Sequence, residues 1–161
     1  MAQIQANPGA AHLHNQLAAL YVASDNFAGF KKEINTAIRL EPKDPINYFQ
    51  ASLVYGRKGL KKSRIAMLNK AIALDSENPV FRFEHARLCD AIGDRVRAKE
   101  DYVKAKELLA VAIERGNKSR SDHVLRASRA AGGAYYDSFE NAYSVENLEA
   151  SIDKELAQMT E

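Results

Sequence analysis

Small and large apolar residues recur along the chain with a spacing of 34 residues. The stretch from Ile34 to Pro45 reads INTAIRLEPKDP, and the stretch from Leu68 to Pro79 reads LNKAIALDSENP. Matched positions keep their size class over two steps, as in the series Ala18, Ser52, Ala86, the series Ala37, Ala71, Ala105, and the series Leu40, Leu74, Leu108. Because chance does not align several such series, the pattern predicts an internal repeat.

Each unit of the repeat is predicted to form two helices. Leu17, Ala18 and Tyr21 place an apolar stripe on a first helix over residues 11–24. A second helix is expected from about Phe27 to Leu40, and the prolines that follow end it because proline cannot continue an α-helix. The small residues at matched positions let the two helices approach closely.

The turns between the paired helices carry residues that tolerate a left-handed backbone. They read SDN after the first helix, RKGL around Gly59 and IGD around Gly93. Glycine adopts a positive φ without steric cost, and Asp and Asn adopt it more readily than most residues do. We therefore expect a helix to end at each of these turns.

This pattern resembles the tetratricopeptide repeat, a helix–turn–helix unit of 34 residues. Numbered from Ala11, Pro45 and Pro79, the units have small residues at positions 8 and 27, and tyrosine or Cys89 at position 11. The family pattern has a small residue at position 20. Ala98 fits this pattern in the third unit, whereas Phe30 and Arg64 depart from it in the first two. The resemblance implies an all-α fold, a right-handed α-solenoid of about three units with a helical C-terminal cap.

The same numbering predicts the domain boundaries. Residues 1–10 form the tail of a preceding helix or an N-terminal cap, residues 11–110 form three repeats (11–44, 45–78 and 79–112), and residues 111–161 form a degenerate fourth unit with capping helices. A helix is expected over part of the stretch 121–143. The last helix is expected over Val145 to Met159, with Ser144 as its N-cap.

Composition narrows the class of protein. Hydrophobic residues make up 46% of the chain and charged residues 27%, a balance typical of a folded domain. The net charge of +2 is too small to argue for nucleic acid. No apolar run approaches the length of a membrane helix. The N-terminus lacks the basic and apolar regions of a signal peptide, so we expect a cytoplasmic location, although a removed signal peptide is compatible with this sequence.

Few residues suggest chemistry. His12 and His14 are two positions apart and cannot share a metal ion on one helix face. With Cys89 as the only cysteine, an internal disulfide is impossible and a cysteine-based zinc site is excluded. We interpret Cys89 as a small buried thiol and His85 as a partly buried structural histidine. The acidic residues are expected on solvated surfaces, and no catalytic centre, metal site or cofactor is predicted.

Charge is unevenly distributed. The stretch from Arg57 to Arg64 reads RKGLKKSR and covers a predicted turn. It is either a solvated turn or a surface for an acidic partner or a nucleic-acid backbone, and it lacks the aromatic residues that stack on bases. The segment from Asp137 onward carries seven acidic residues against one lysine, so it either forms a solvated face or lies against basic surface of this chain or a neighbour.

The resemblance implies that a concave groove lined by the first helices binds a partner. The predicted groove residues are Asn15, Ile46, Phe49, Leu53, Arg57, Val80, Phe83 and Arg87. The clamp with which some family members hold the C-terminal carboxylate of chaperones is absent, because its positions carry Asn15, Ala19, Gln50, Val80 and Glu84.

The apolar members of this set, which we call the apolar strip, are Ile46, Phe49, Leu53, Val80 and Phe83. An exposed strip of this kind predicts a protein-binding or scaffolding module that receives an amphipathic helix or an apolar segment. Two alternatives stay open: neighbouring helices cover the strip, or the last helix of the chain folds into it. A further hypothesis is a self-assembling structural subunit, joined through its repeat ends or by exchange of its last helix.

Overall fold

The computed structural model describes residues 9–114 and 144–159. These residues form α-helices without any strand, which confirms the predicted all-α fold. The helices are α1 (Ala11–Ala23), α2 (Phe27–Leu40), α3 (Pro45–Arg57), α4 (Lys61–Leu74), α5 (Pro79–Ala91), α6 (Arg95–Glu114) and α7 (Val145–Gln158). They pack as the antiparallel pairs α1–α2, α3–α4 and α5–α6, stacked in chain order as an α-solenoid.

The helix starts follow from local side-chain chemistry. Asp44 and Asn78 precede α3 and α5, and their side chains accept hydrogen bonds from the backbone N–H groups of Ile46 (2.9 Å) and Val80 (3.1 Å). A proline occupies the first turn of both helices, where its missing N–H has no helical partner in any case. The first helix of each pair therefore begins 34 residues after the previous one, at residues 11, 45 and 79.

The turns repeat the same backbone conformation in all three pairs. Asp25, Gly59 and Gly93 have φ values of 55°, 70° and 83°. No atom lies within 4 Å of where a side chain would begin at Gly59 or Gly93. The glycines are thus required by the backbone conformation alone, as the sequence predicted.

The small residues of the repeat lie where paired helices touch. The residues at position 8, which are Ala18, Ser52 and Ala86, are at most 2% exposed. The residues at position 27, which are Ala37, Ala71 and Ala105, are fully buried. Around them one apolar cluster covers the second and third pairs and a smaller one the first two pairs. Ile38 and Met67 pack against both clusters, so the core continues along the stack.

The last helix, α7, packs mainly on α6. Ser144 caps it by accepting a hydrogen bond from the N–H of Asn147 (3.3 Å), and Leu148 and Ile152 are completely buried in the core. Lys106 of α6 forms an ion pair with Asp153 (2.6 Å), so part of the acidic C-terminal region lies against basic residues of its own chain. Helix α7 thereby covers the C-terminal end of the described stack.

Some predicted elements lie outside the described residues. They are the helix tail before residue 9 and the helix expected within 121–143. The division of the chain into residues 1–10, 11–110 and 111–161 stays a prediction.

Candidate functional site

The apolar strip is mostly buried by the chain itself. Ile46 is 6% exposed, Phe49 1%, Val80 0% and Phe83 5%, while Leu53 is half-buried. The expectation of an exposed strip is therefore wrong for four of its five residues. All four belong to the larger core cluster, and Leu53 packs against that cluster.

Neighbouring helices cover the two phenylalanines. The ring of Phe49 on α3 meets that of Phe81 on α5, with centroids 4.7 Å apart. The ring of Phe83 lies 5.8 Å from that of Tyr102 on α6. Neighbouring helices of the stack thus cover these residues, which was one of the alternatives left open by the sequence. They do so because each first helix packs against helices on two sides.

The polar members of the predicted groove are more accessible. Asn15 is half-buried and donates a hydrogen bond to the side chain of Asn47 on α3 (2.5 Å). Arg57 is exposed and lines a cleft of about 130 Å³ where the first two pairs meet. Arg87 is exposed on α5, with its guanidinium 5.9 Å from the centre of the Phe83 ring.

The basic stretch from Arg57 to Arg64 is partly engaged within the chain. Lys58 bonds to Asp25 across the first two pairs. Arg64 turns inward and donates to Glu84 on α5 (2.9 Å). Because these two cations have carboxylate partners, the stretch offers less free positive charge than its sequence suggests.

Three acidic residues that were expected in solvent lie in the interior, and that expectation is wrong for them. Glu33 is 5% exposed, Glu84 2% and Asp101 8%. Each has a basic or imidazole partner: Glu33 contacts His14 at 2.7 Å, and Glu84 accepts from Arg64 and Arg87. Buried carboxylates are tolerated when they are paired in this way.

Two of these buried acids occupy the same position of the repeat, which the sequence alone shows. Glu33 and Asp101 both occupy position 23 of their unit, and both contact a residue at position 4, His14 and Arg82 respectively. The middle unit has Met67 at position 23, and this residue packs in the core. An acidic residue at a position that is apolar in the middle unit was the sign that the sequence offered.

A histidine, a cysteine and an aspartate meet in the third pair. The Nδ1 atom of His85 lies 2.5 Å from a carboxylate oxygen of Asp101 and 3.7 Å from the sulfur of Cys89. Burial, and then the Asp101 charge, raise the pKa of the Cys89 thiol, which therefore stays protonated near neutral pH. Both contacts use the same imidazole nitrogen, so this arrangement does not activate the thiol as a nucleophile. The prediction that Cys89 is a buried thiol is confirmed.

The outer face of α6 carries exposed apolar side chains. Val96 is 72% exposed, and Val103, which lies seven residues or about two turns further along the helix, is 42% exposed. Both line a cleft of about 600 Å³, and Met159, just after α7, lines it as well. Among residues 9–114 and 144–159, no helix has the length and apolar character needed to cross a membrane.

Comparison with known proteins agrees with this architecture. The sequence pattern described as tetratricopeptide repeat matches residues 47–78, which cover most of α3 and all of α4. The chain contains a tetratricopeptide repeat. The other two helix pairs share with this tetratricopeptide repeat the 34-residue spacing of helix starts and the left-handed turn.

Solved structures show the same fold. A crystal structure of MamA matches with a TM-score of 0.59 over 99% of this chain and 86% of its own, at 17% identity. A second crystal structure of the MamA protein gives 0.58 over 97% and 74%, at 16% identity. No curated protein sequence matches the chain. The structural likeness shows the fold alone, a stack of helix pairs.

Proposed function

We propose that the chain is a non-enzymatic protein-interaction module that binds an amphipathic helix of a partner protein on the face of its first helices. The tetratricopeptide repeat supports a protein-interaction or scaffold role, and helical-repeat folds of this kind are typically non-enzymatic. The cytoplasmic location expected from the sequence stays a prediction.

One observation carries the choice of surface and partner. On α3, the half-buried Leu53 and the exposed Arg57 are four residues apart and so share one helix face. Arg87 on α5 takes the position of the repeat that Leu53 takes on α3, and it is exposed over the Phe83 ring. On α3 and α5, the accessible part of the predicted groove is therefore one apolar side chain with two arginines, of which Arg87 also pairs with Glu84. An amphipathic helix with an apolar stripe and acidic flanks complements it, whereas a wholly apolar segment does not.

Binding of a defined peptide tests this proposal. We would measure the anisotropy of a labelled synthetic helix with leucines on one face and glutamates beside them. Arg57→Glu is expected to weaken binding at least about fivefold, because it places like charges opposite each other. Arg97→Glu makes the same charge change on α6, where its side chain is 74% exposed, and is expected to leave binding unchanged.

Two results would contradict the proposed surface. Equal weakening by Arg57→Glu and Arg97→Glu would show attraction to net charge alone. A wild-type chain that ignores the peptide at every concentration would remove the support for an acidic amphipathic partner.

The exposed valines of α6 favour self-association as a second candidate. If two copies of α6 pack antiparallel about Val103, Lys99 of one copy faces Glu107 of the other, twice by symmetry. Val96 then lies near the C-terminal half of the opposite helix, so apolar surface meets apolar surface. This face is thus complementary to itself in both charge and apolarity.

Sedimentation over a wide concentration range tests this second candidate. The wild-type chain is expected to reach a dimer, and Lys99→Glu is expected to shift the equilibrium towards monomer. Combining Lys99→Glu with Glu107→Lys restores the opposite charges and is expected to restore the dimer. A wild-type chain that stays monomeric throughout, or a double variant no better than the single one, would rule out this interface.

A further inference from the structure

We propose that His85, Cys89 and Asp101 form a binding site for a divalent transition-metal ion of the zinc class. The site lies between α5 and α6, inside the third helix pair. It goes beyond the proposed function and does not depend on it. It also departs from the sequence-based expectation of no metal site.

The three ligand atoms are already close to one another. The Nδ1 of His85, the sulfur of Cys89 and a carboxylate oxygen of Asp101 all lie within 4.8 Å. Tetrahedral zinc, with bonds of about 2.3 Å to sulfur and about 2.0–2.1 Å to nitrogen, holds those two atoms about 3.6 Å apart. The observed sulfur–nitrogen distance is 3.7 Å.

One distance has to change when an ion enters. The His85 nitrogen and the Asp101 oxygen are 2.5 Å apart because they share a hydrogen bond. Tetrahedral ligands of zinc would hold a nitrogen and an oxygen about 3.3 Å apart. A small rotation of either side chain supplies this difference, and the ion replaces the hydrogen bond.

The third unit departs from the repeat at two of the three ligand positions, 7 and 11, and it shares an acidic residue at position 23 with the first unit. Position 7 carries Leu17, Ala51 and His85 in the three units, position 11 carries Tyr21, Tyr55 and Cys89, and position 23 carries Glu33, Met67 and Asp101. Only the third unit brings three ligand types to these positions. Position 11 is tyrosine in the other two units, so the packing of the repeat does not require a thiol at this position.

Charge and surroundings suit a divalent ion with sulfur and nitrogen ligands. A thiolate and a carboxylate supply two negative charges, and imidazole binds as a neutral ligand. The Cys89 proton is released to solvent when the ion binds. Arg82 donates to the other oxygen of Asp101 (3.1 Å), so it orients the carboxylate from outside the site. The His85 side chain is 21% exposed, which gives the ion a route from solvent.

Cobalt serves as the probe, because it takes zinc sites and its bond to a thiolate absorbs in the near ultraviolet. We would titrate the reduced full-length chain with Co²⁺, then add Zn²⁺ and follow the melting temperature. The expected result is one cobalt per chain with a thiolate band, displacement of that band by zinc, and a higher melting temperature with zinc.

Variants test the ligand assignment. Cys89→Ser should abolish the thiolate band, and His85→Gln should weaken cobalt binding at least about tenfold, since even outer partners of metal ligands contribute that much. His14→Gln is the matched control, because His14 contacts a buried carboxylate in the first unit, where no thiol is near. It should leave the cobalt spectrum unchanged.

The wild-type titration decides the proposal even if a variant fails to fold. A folded wild-type chain without a thiolate band at excess cobalt would overturn it. A band that His85→Gln leaves at full strength would overturn it as well, because the thiol would then be binding cobalt without this histidine.

Discussion

Glu84 is held in the interior by two arginines from different helices. Arg64 on α4 bonds to one of its oxygens at 2.9 Å, and Arg87 bonds to the other at 2.8 Å. Gly56 gives Arg64 its room, because a Cβ at that glycine would lie 2.9 Å from the Arg64 side chain. The departure from the repeat pattern at position 20 therefore has a structural reason: this arginine joins the second pair to the third.

Arg64→Ala tests the weight of this contact. We expect it to lower the free energy of unfolding by about 2 kcal/mol, because a buried carboxylate then loses one of its arginine partners. Arg97→Ala is the control, since Arg97 also pairs with an acid, Asp94, but at the surface. Its cost should stay below about 0.5 kcal/mol. Urea denaturation of both variants measures the difference, and equal costs would contradict this role for Arg64.

The size of buried residues was predictable from the sequence, and the burial of charge was less so. The small residues at Ala37 and Ala71 lie where the repeat placed them. Glu84 was assigned to solvent with the other acidic residues. Arg87 lies three residues away on the same helix, but the second partner, Arg64, lies 20 residues away on a helix of another pair. Local spacing does not show such a partner, although acidic residues at core positions do indicate one.

At the scale of the element, each helix pair depends on one turn residue with positive φ. Asp25, Gly59 and Gly93 take this place in turn. An alanine side chain in this conformation strains the backbone even when the space around it is open, as it is at Gly93.

Gly93→Ala is therefore expected to lower the free energy of unfolding by about 1 kcal/mol. Gly9→Ala is the control, because Gly9 also has open space around it but no positive φ. It should be neutral within about 0.5 kcal/mol. Thermal and urea unfolding of the two variants give the comparison, and a neutral Gly93→Ala would mean that the turn relaxes to another conformation.

Helix boundaries were predictable because caps, prolines and turn glycines act locally. The second helix was expected from Phe27 to Leu40 and is found there. The exposure of the first-helix face was not predictable in the same way. Phe49 occupies a position that the family resemblance assigns to the groove, but Phe81 of the next pair covers it. That contact depends on how two aromatic residues of neighbouring units pack, which the resemblance does not specify.

At the scale of the whole molecule, the stack has an open end that α7 covers. In a helical repeat each unit contacts only its neighbours, so the last unit exposes apolar surface unless a capping element packs on it. Helix α7 takes this place with Leu148 and Ile152, which join the cluster that also contains Tyr102 and Leu109 of α6. Its contacts with α6 make it a structural part of the stack.

Leu148→Ala tests whether α7 stabilises the stack as a whole. We expect it to lower the free energy of unfolding by about 2–5 kcal/mol, the usual cost of a cavity in a core. We also expect the entire chain to lose its helicity at a lower temperature. Leu20→Ala removes the same atoms from a side chain that is 56% exposed, and it should cost less than about 0.5 kcal/mol.

A chain ending at Asn141 extends this test to the complete helix. Because α7 covers apolar surface of α6, we expect the shortened chain to melt at a lower temperature or to aggregate in sedimentation. If it instead stayed monomeric with an unchanged melting temperature, and Leu148→Ala were as mild as Leu20→Ala, α7 would not be a cap. Its contact with α6 would then be weak enough for a partner to displace it.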